Sequence, residues 1–182
     1  MTYYTAESAQ RPTVRVWDVG VRLFHWSLVA MVTSAYVFDS PRSLHRGLGY
    51  TVIALISFRL IWGFVGTKHA RFSDFVPSPR RLLGYLLAIA KGREARHLGH
   101  NPAGGAMILA LLTTLAAIGT TGYMMGMKAY FGVSWVENLH KSLVDGLVVL
   151  VVLHLAGVLI ASLRHRENLV LSMITGQKDS DE

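Results

Sequence analysis

The chain has 182 residues, 52% of them hydrophobic and only 16% charged, with a mean hydropathy of +0.38 and a formal net charge of +7. Soluble domains carry about 25% charged residues, so the balance points to a membrane. Cysteine is absent, which excludes disulfides, thiolate-held iron–sulfur clusters and cysteine zinc sites; any metal has to be held by His, carboxylate or Met.

The first twenty residues are polar and show no small-residue cleavage site before an apolar core, so the first apolar segment is expected to be retained. That segment, residues 21–39, has no Asp, Glu, Lys or Arg from Leu23 to Phe38. A second runs over 45–66 and is interrupted by Arg59. The 67–101 loop contains a Pro-bounded helix with an apolar stripe (Leu82, Leu83, Leu86, Leu87, Ile89) and basic ends. It either lies in the headgroup layer or packs beneath the helices. A third apolar segment covers 102–126, the 127–139 stretch forms a short cap, and a fourth segment covers 140–163. Each is near the roughly 20 residues that cross about 30 Å of hydrocarbon. The expected fold is therefore all-α: one domain over 1–182, a four-helix transmembrane bundle, and a disordered acidic tail at 177–182.

Basic residues orient the bundle. With four spans, one side holds Arg11, Arg15, Arg22, Lys68, Arg71, Arg80, Arg81, Lys91, Arg93, Arg96, Arg164, Arg166 and Lys178; the other holds Arg42, Arg46, Lys128 and Lys141. The positive-inside rule places both termini and the long loop in the cytoplasm. Trp17 and Trp62 then mark the inner interface, and Tyr130, Phe131 and Trp135 the outer one. The basic excess belongs to a membrane surface and not to a nucleic-acid groove.

There are eight histidines. His69, His97, His100 and His165 fall at the inner side and are expected to meet water, headgroups or helix ends. The other four match in depth. His45 and His140 open the second and fourth spans at the outer level. His25 lies in the inner half of the first span, and His154 lies fourteen residues beyond His140, about 21 Å deeper and on nearly the same helix face. Two levels, each with two imidazoles from different helices, are what two bis-histidine haems require. Zinc needs three or four converging ligands, and membrane proton relays usually recruit carboxylates; Asp145, near the surface, is the main one inside a span. Arg59, fourteen residues after His45, falls near the inner level. An intramembrane arginine needs a partner: a haem propionate suits it, and snorkelling to headgroups is the alternative. Arg46, Lys141 and Arg22 could serve propionates in the same way.

Several fragments carry a family resemblance: VRLFHWSL, LHRGLGY, RLIWGFVGTKHARF, LGHNPAGGAM and ENLHKSLVDGLVVLVVLHLAGVLIASL. In this order and spacing the chain resembles the prokaryotic cytochrome b561 family, which is similar to the b-type cytochrome subunits of nickel–iron hydrogenases. The resemblance implies two b haems, an inner one ligated by His25 and His154 and an outer one by His45 and His140. It also implies an electron carrier of the bacterial inner membrane that exchanges electrons between a periplasmic partner and the quinone pool (ubiquinone or menaquinone). The partner would be a cytochrome c or a hydrogenase; alternatively, the protein would oxidise superoxide and pass the electron to ubiquinone without a protein partner.

Overall fold

A computed structural model describes residues 12–180; Arg11 and the last two tail residues lie outside that range. The chain is mostly helical. Asp18 starts α1 (Val19–Val37), its carboxylate accepting from Val21 N at 2.9 Å, which satisfies one of the open amides of the first turn. Helix α2 (Arg42–Val65) stops at Gly66. The loop then forms α3 (Phe72–Phe75) and α4 (Pro79–Ala90), the latter capped by Ser78. At α5 (Pro102–Met124), Asn101 accepts from Gly104 N at 2.7 Å and Pro102 occupies the first turn, where its missing N–H costs nothing.

Helix α6 (Ser134–His165) has 32 residues, about 48 Å by its rise. It starts six residues before the expected span, so the second half of the anticipated outer cap belongs to it. Only the short 3₁₀ turn Lys128–Tyr130 remains of that cap. After α7 (Leu169–Thr175), Gly176 turns the chain at φ 84°, a conformation that favours glycine.

Three of these helices, α2, α5 and α6, are long and apolar enough to cross a membrane. Helix α1 falls outside that set, diluted by Arg22, His25, Ser27, Thr33 and Ser34. All four nevertheless supply one core. Val52 and Ile56 of α2, Leu115 of α5 and Leu147 of α6 are buried together, with Leu28, Met31 and Val32 of α1 packed against them. The outward face of α6 is bare: Val149, Val152, Leu155 and Leu159 are 59–60% exposed, an apolar surface suited to lipid. Helix α4 packs on α5, burying Tyr85 and leaving Leu83, Leu86 and Leu87 exposed.

The tail departs from expectation. Gln177–Asp179 forms β2, antiparallel to β1 (Thr13–Arg15), with Val14 opposite Lys178. Side chains explain why this acidic stretch is held. Glu167 takes Arg96 on one carboxylate oxygen and Lys178 Nζ at 3.0 Å on the other, and Lys178 also donates to His97 O at 3.0 Å. Arg96 further donates to Asp179 O at 2.6 Å. Removing one partner of such a shielded cluster strands the others. Glu167→Ala is therefore expected to destabilise the protein by about 3 kcal/mol and to speed proteolysis of the tail. Thermal unfolding in detergent checks this; an unchanged midpoint contradicts it.

Candidate functional site

At the end of the molecule where α2 begins, the structure brings two of the four span histidines together. The rings of His45 on α2 and His140 on α6 have centroids 6.4 Å apart. Their hydrogen bonds fix the tautomers. His45 Nδ1 lies 3.0 Å from Ala35 O, a carbonyl that only accepts, so Nδ1 carries the proton. His140 Nδ1 lies 2.9 Å from Thr121 Oγ1, which can give its own proton to Ala117 O or Ile118 O at 2.9 and 3.0 Å and so accept from Nδ1. In both rings Nε2 keeps its lone pair. This is the arrangement by which outer partners orient metal-binding imidazoles.

The spacing suits one metal between the two rings. With metal–nitrogen bonds of about 2 Å and each ring centre about 1 Å behind its nitrogen, the centroids fall roughly 6 Å apart. A Cβ added at Gly49, one turn after His45, would meet nothing within 4 Å. A Cβ at Gly122 would come within 3.4 Å of His140 Cε1, so a larger residue there would press on the ring.

At the opposite end, His25 on α1 and His154 on α6 lie within electrostatic reach of each other. The shielded Nδ1 of His25 has no hydrogen-bond partner, and its ring meets Trp26 edge-on at 5.0 Å. Arg59 is 3% exposed, which rules out snorkelling to the headgroups. Its guanidinium lies over the rings of Phe72 and Phe75, 5.2 and 5.6 Å from their centroids, a cation–π arrangement. Its Nη1 has no hydrogen-bond partner. The nearest carboxylate in its field, Asp18, is already engaged by Trp62 Nε1 at 3.2 Å, Thr67 Oγ1 at 2.6 Å and Val21 N. Two buried nitrogens lacking partners at this level leave a demand for acceptors that the protein does not meet. Among the described residues no three His, Cys, Asp or Glu converge on a metal position.

The remaining candidates are dispersed. Arg46 donates to Tyr50 OH at 3.3 Å and lies over Gly126, while Lys141 is exposed. Arg22 is tied to the backbone carbonyl of Ile174, a structural role at the end of α7. Sequence reasoning missed three residues. Thr121 carries the helix-internal bonding common to threonine, and only its fold partner reveals its function. Asp18 reads as a helix cap, yet it also joins α1, α2 and the loop. His100 was expected at the surface but packs between Trp17 and Phe75, with centroids 4.5 and 4.8 Å away. Burial, followed by the positive charge of Arg59, pushes its pKa down to about 3. Trp17, expected as an interfacial anchor, is itself buried and donates to Ser172 Oγ at 3.4 Å.

Imidazoles paired between separate apolar helices, each with its Nδ1 engaged, define a class: helical membrane proteins that can clamp a metal macrocycle. The chain belongs to the prokaryotic cytochrome b561 family, whose pattern it matches over residues 16–176. It is thus a membrane-bound b-type cytochrome, a haem b protein of electron transfer. It is similar to a probable Ni/Fe-hydrogenase B-type cytochrome subunit of Bradyrhizobium diazoefficiens, at 23% identity over 92% of this chain and 87% of that protein. Proteins of the same description from Rhizobium leguminosarum bv. viciae (22% identity, 94% and 91% covered) and Rhodobacter capsulatus (20%, 93% and 82%) are similar too. No solved structure matches.

Asp18 gives the site a pH dependence. Burial alone would raise its pKa, but hydrogen bonds from Thr67, Val21, Trp62 and Gly20 outweigh this and hold it below the ordinary 3.8. A lowered carboxylate pKa stabilises the fold fully above the unfolded value and loses that contribution as pH falls through the folded value. Thermal midpoints are therefore expected to drop on acidification below about pH 4. Asp18→Asn should lower the midpoint at neutral pH and flatten that acid limb; an identical limb in the variant would refute the assignment.

Proposed function

We propose that this protein carries electrons across the bacterial inner membrane by means of two b haems. One is held by His45 and His140, the other by His25 and His154, and together they link a periplasmic partner to the quinone pool. The observation that carries this reading is the 6.4 Å separation of the His45 and His140 rings with both Nδ1 atoms spoken for. His154 follows His140 by fourteen residues on the same rigid helix, which sets a second level about 21 Å away. Haem with both axial positions filled by histidine supplies outer-sphere one-electron transfer, tuned by ligands, burial and nearby charge. At the inner level, Arg59 would turn its unpartnered Nη1 to a propionate, with Arg22 as a lesser candidate there and Arg46 and Lys141 as lesser candidates at the outer level.

The reading makes α1 the fourth span of a single membrane domain. Its 19 residues give about 28 Å, close to the hydrocarbon thickness of about 30 Å, and it shares the core of the other three. Both termini then lie on the cytoplasmic side with the basic loop. The likeness to probable hydrogenase cytochrome subunits favours a hydrogenase as the partner. Superoxide, drawn to the outer cations Arg42, Arg46, Lys128 and Lys141, is the competing donor. Mixing the oxidised protein with superoxide and a water-soluble quinone separates the two. Fast quinone reduction with no protein partner would favour the second; reduction only after adding a hydrogenase or cytochrome c supports the first.

Ligand variants test the assignment directly. His140→Ala and His154→Ala should each remove about one haem per chain and leave the other, as read by pyridine haemochrome and low-spin spectra. If His154→Ala kept both haems with unchanged spectra, the ligand set would be wrong. Thr121→Val removes the acceptor for His140 Nδ1 and should weaken retention of that haem about 10-fold. Thr121→Ser should restore it, whereas equal retention in Val and Ser variants would mean that the hydroxyl does not orient the ring.

A further inference from the structure

A cleft of about 360 Å³ opens beside the foot of α2, lined among others by Lys68, His69, Asp74, Arg81, His100 and Pro102. Its polar groups are unevenly matched. Asp74, the carboxylate in the lining, is taken by His69 Nδ1 at 3.0 Å. The side chains of Lys68 and Arg81 make no hydrogen bond or ion pair among the described residues. His100 Nδ1 is shielded from water and has no partner. Pro102 opens α5, a 23-residue helix that turns the positive end of its dipole toward this cleft. Two free cations, an unsatisfied buried imidazole nitrogen and a helix N-terminus all favour an anion, phosphate above all.

The surroundings say which phosphate. The cleft lies where apolar helices give way to the polar loop, and Phe64 and Val65, the last residues of α2 before it, are 74% and 67% exposed. A free anion would leave these side chains uncovered, whereas a lipid would bring acyl chains to them. Basic pockets at helix ends on the inner side suit anionic headgroups. We propose that Lys68, Arg81 and His100, at the N-terminal end of α5, bind the phosphate of one anionic phospholipid, with its acyl chains against the apolar end of α2.

Native mass spectrometry of the haem-loaded protein in detergent tests this, using phosphatidylglycerol, phosphatidylcholine or inorganic phosphate as the probe. The wild type should retain one phosphatidylglycerol per chain in preference to phosphatidylcholine, and millimolar inorganic phosphate should not displace it. Lys68→Ala/Arg81→Ala should bind phosphatidylglycerol roughly 30-fold more weakly, the size expected of two cations near a headgroup. Lys91→Ala/Arg93→Ala removes the same charge just beyond α4, outside the cleft lining, and should bind as the wild type does. His100→Phe keeps the ring packing on Trp17 and Phe75, removes the nitrogen, and should also weaken retention. Haem spectra and melting curves verify that each variant is folded. Equal losses in both double variants would reduce the effect to general surface charge and overturn the proposal. So would equal retention of the two lipids, or displacement by inorganic phosphate, which would mark a soluble-anion site.

Discussion

The constraint on which this structure rests is the intolerance of an apolar medium for an imidazole without partners. Each ring has two nitrogens, and each must donate or accept. At the outer level the helices settle one nitrogen per ring internally, through Ala35 O for His45 and Thr121 Oγ1 for His140. The other nitrogen of each ring makes no hydrogen bond among the described residues. A protein that merely needed these helices to adhere would do so more cheaply with small residues such as Gly, Ala and Ser. Retaining two half-satisfied rings 6.4 Å apart makes sense when a third party completes both at once.

The other end meets the same difficulty with charge. Asp18 draws together the start of α1, Trp62 near the end of α2 and Thr67 of the loop. Once its lone pairs are committed to these groups, Arg59 is left with aromatic faces and a long-range attraction. The same excess of positive charge reaches His100, whose ring is kept neutral. The loop and both terminal strands are fastened over this region by Glu167 and its cations. The inner end is therefore a closed polar platform carrying more positive charge than its own carboxylates balance. Anionic groups from outside the chain, propionates within and lipid phosphates at the rim, would restore the balance.

Much of this was legible in the sequence, for physical reasons that also mark where legibility ended. Apolar runs announced α2, α5 and α6 because helix hydrogen bonding inside lipid requires long uninterrupted segments. The meeting of His45 and His140 followed from topology and helix rise alone. Helix α1 was read as a span, but Arg22, His25 and Ser27 dilute its apolar character and keep it outside the three helices long and apolar enough to cross a membrane. The tail strand was invisible because three polar residues hold their place through Glu167 and Arg96, both remote in sequence. The burial of Trp17 and His100 was hidden for the same reason: aromatic stacking between the N-terminal strand, the loop and α5 leaves no periodic signature. Thr121 could be found only once α5 and α6 were set side by side.

In the proposed two-haem arrangement, helix α6 would keep the two ligand levels at a fixed separation. It is longer than the hydrocarbon is thick, by roughly 18 Å, and both extensions are anchored. At the outer end Val136 is fully buried; at the inner end Arg164 donates to Glu94 at 2.6 Å and Ile89 O at 3.0 Å. His140 and His154 thus lie on one rod whose internal hydrogen bonds fix their spacing. Their partners His45 and His25 come from α2 and α1, which pack against each other. Sliding of that pair against α6 would shift both levels together, leaving the gap between them nearly constant. Because tunnelling depends steeply on distance, a single helix bearing one ligand of each proposed haem would be an economical way to hold the electron path steady.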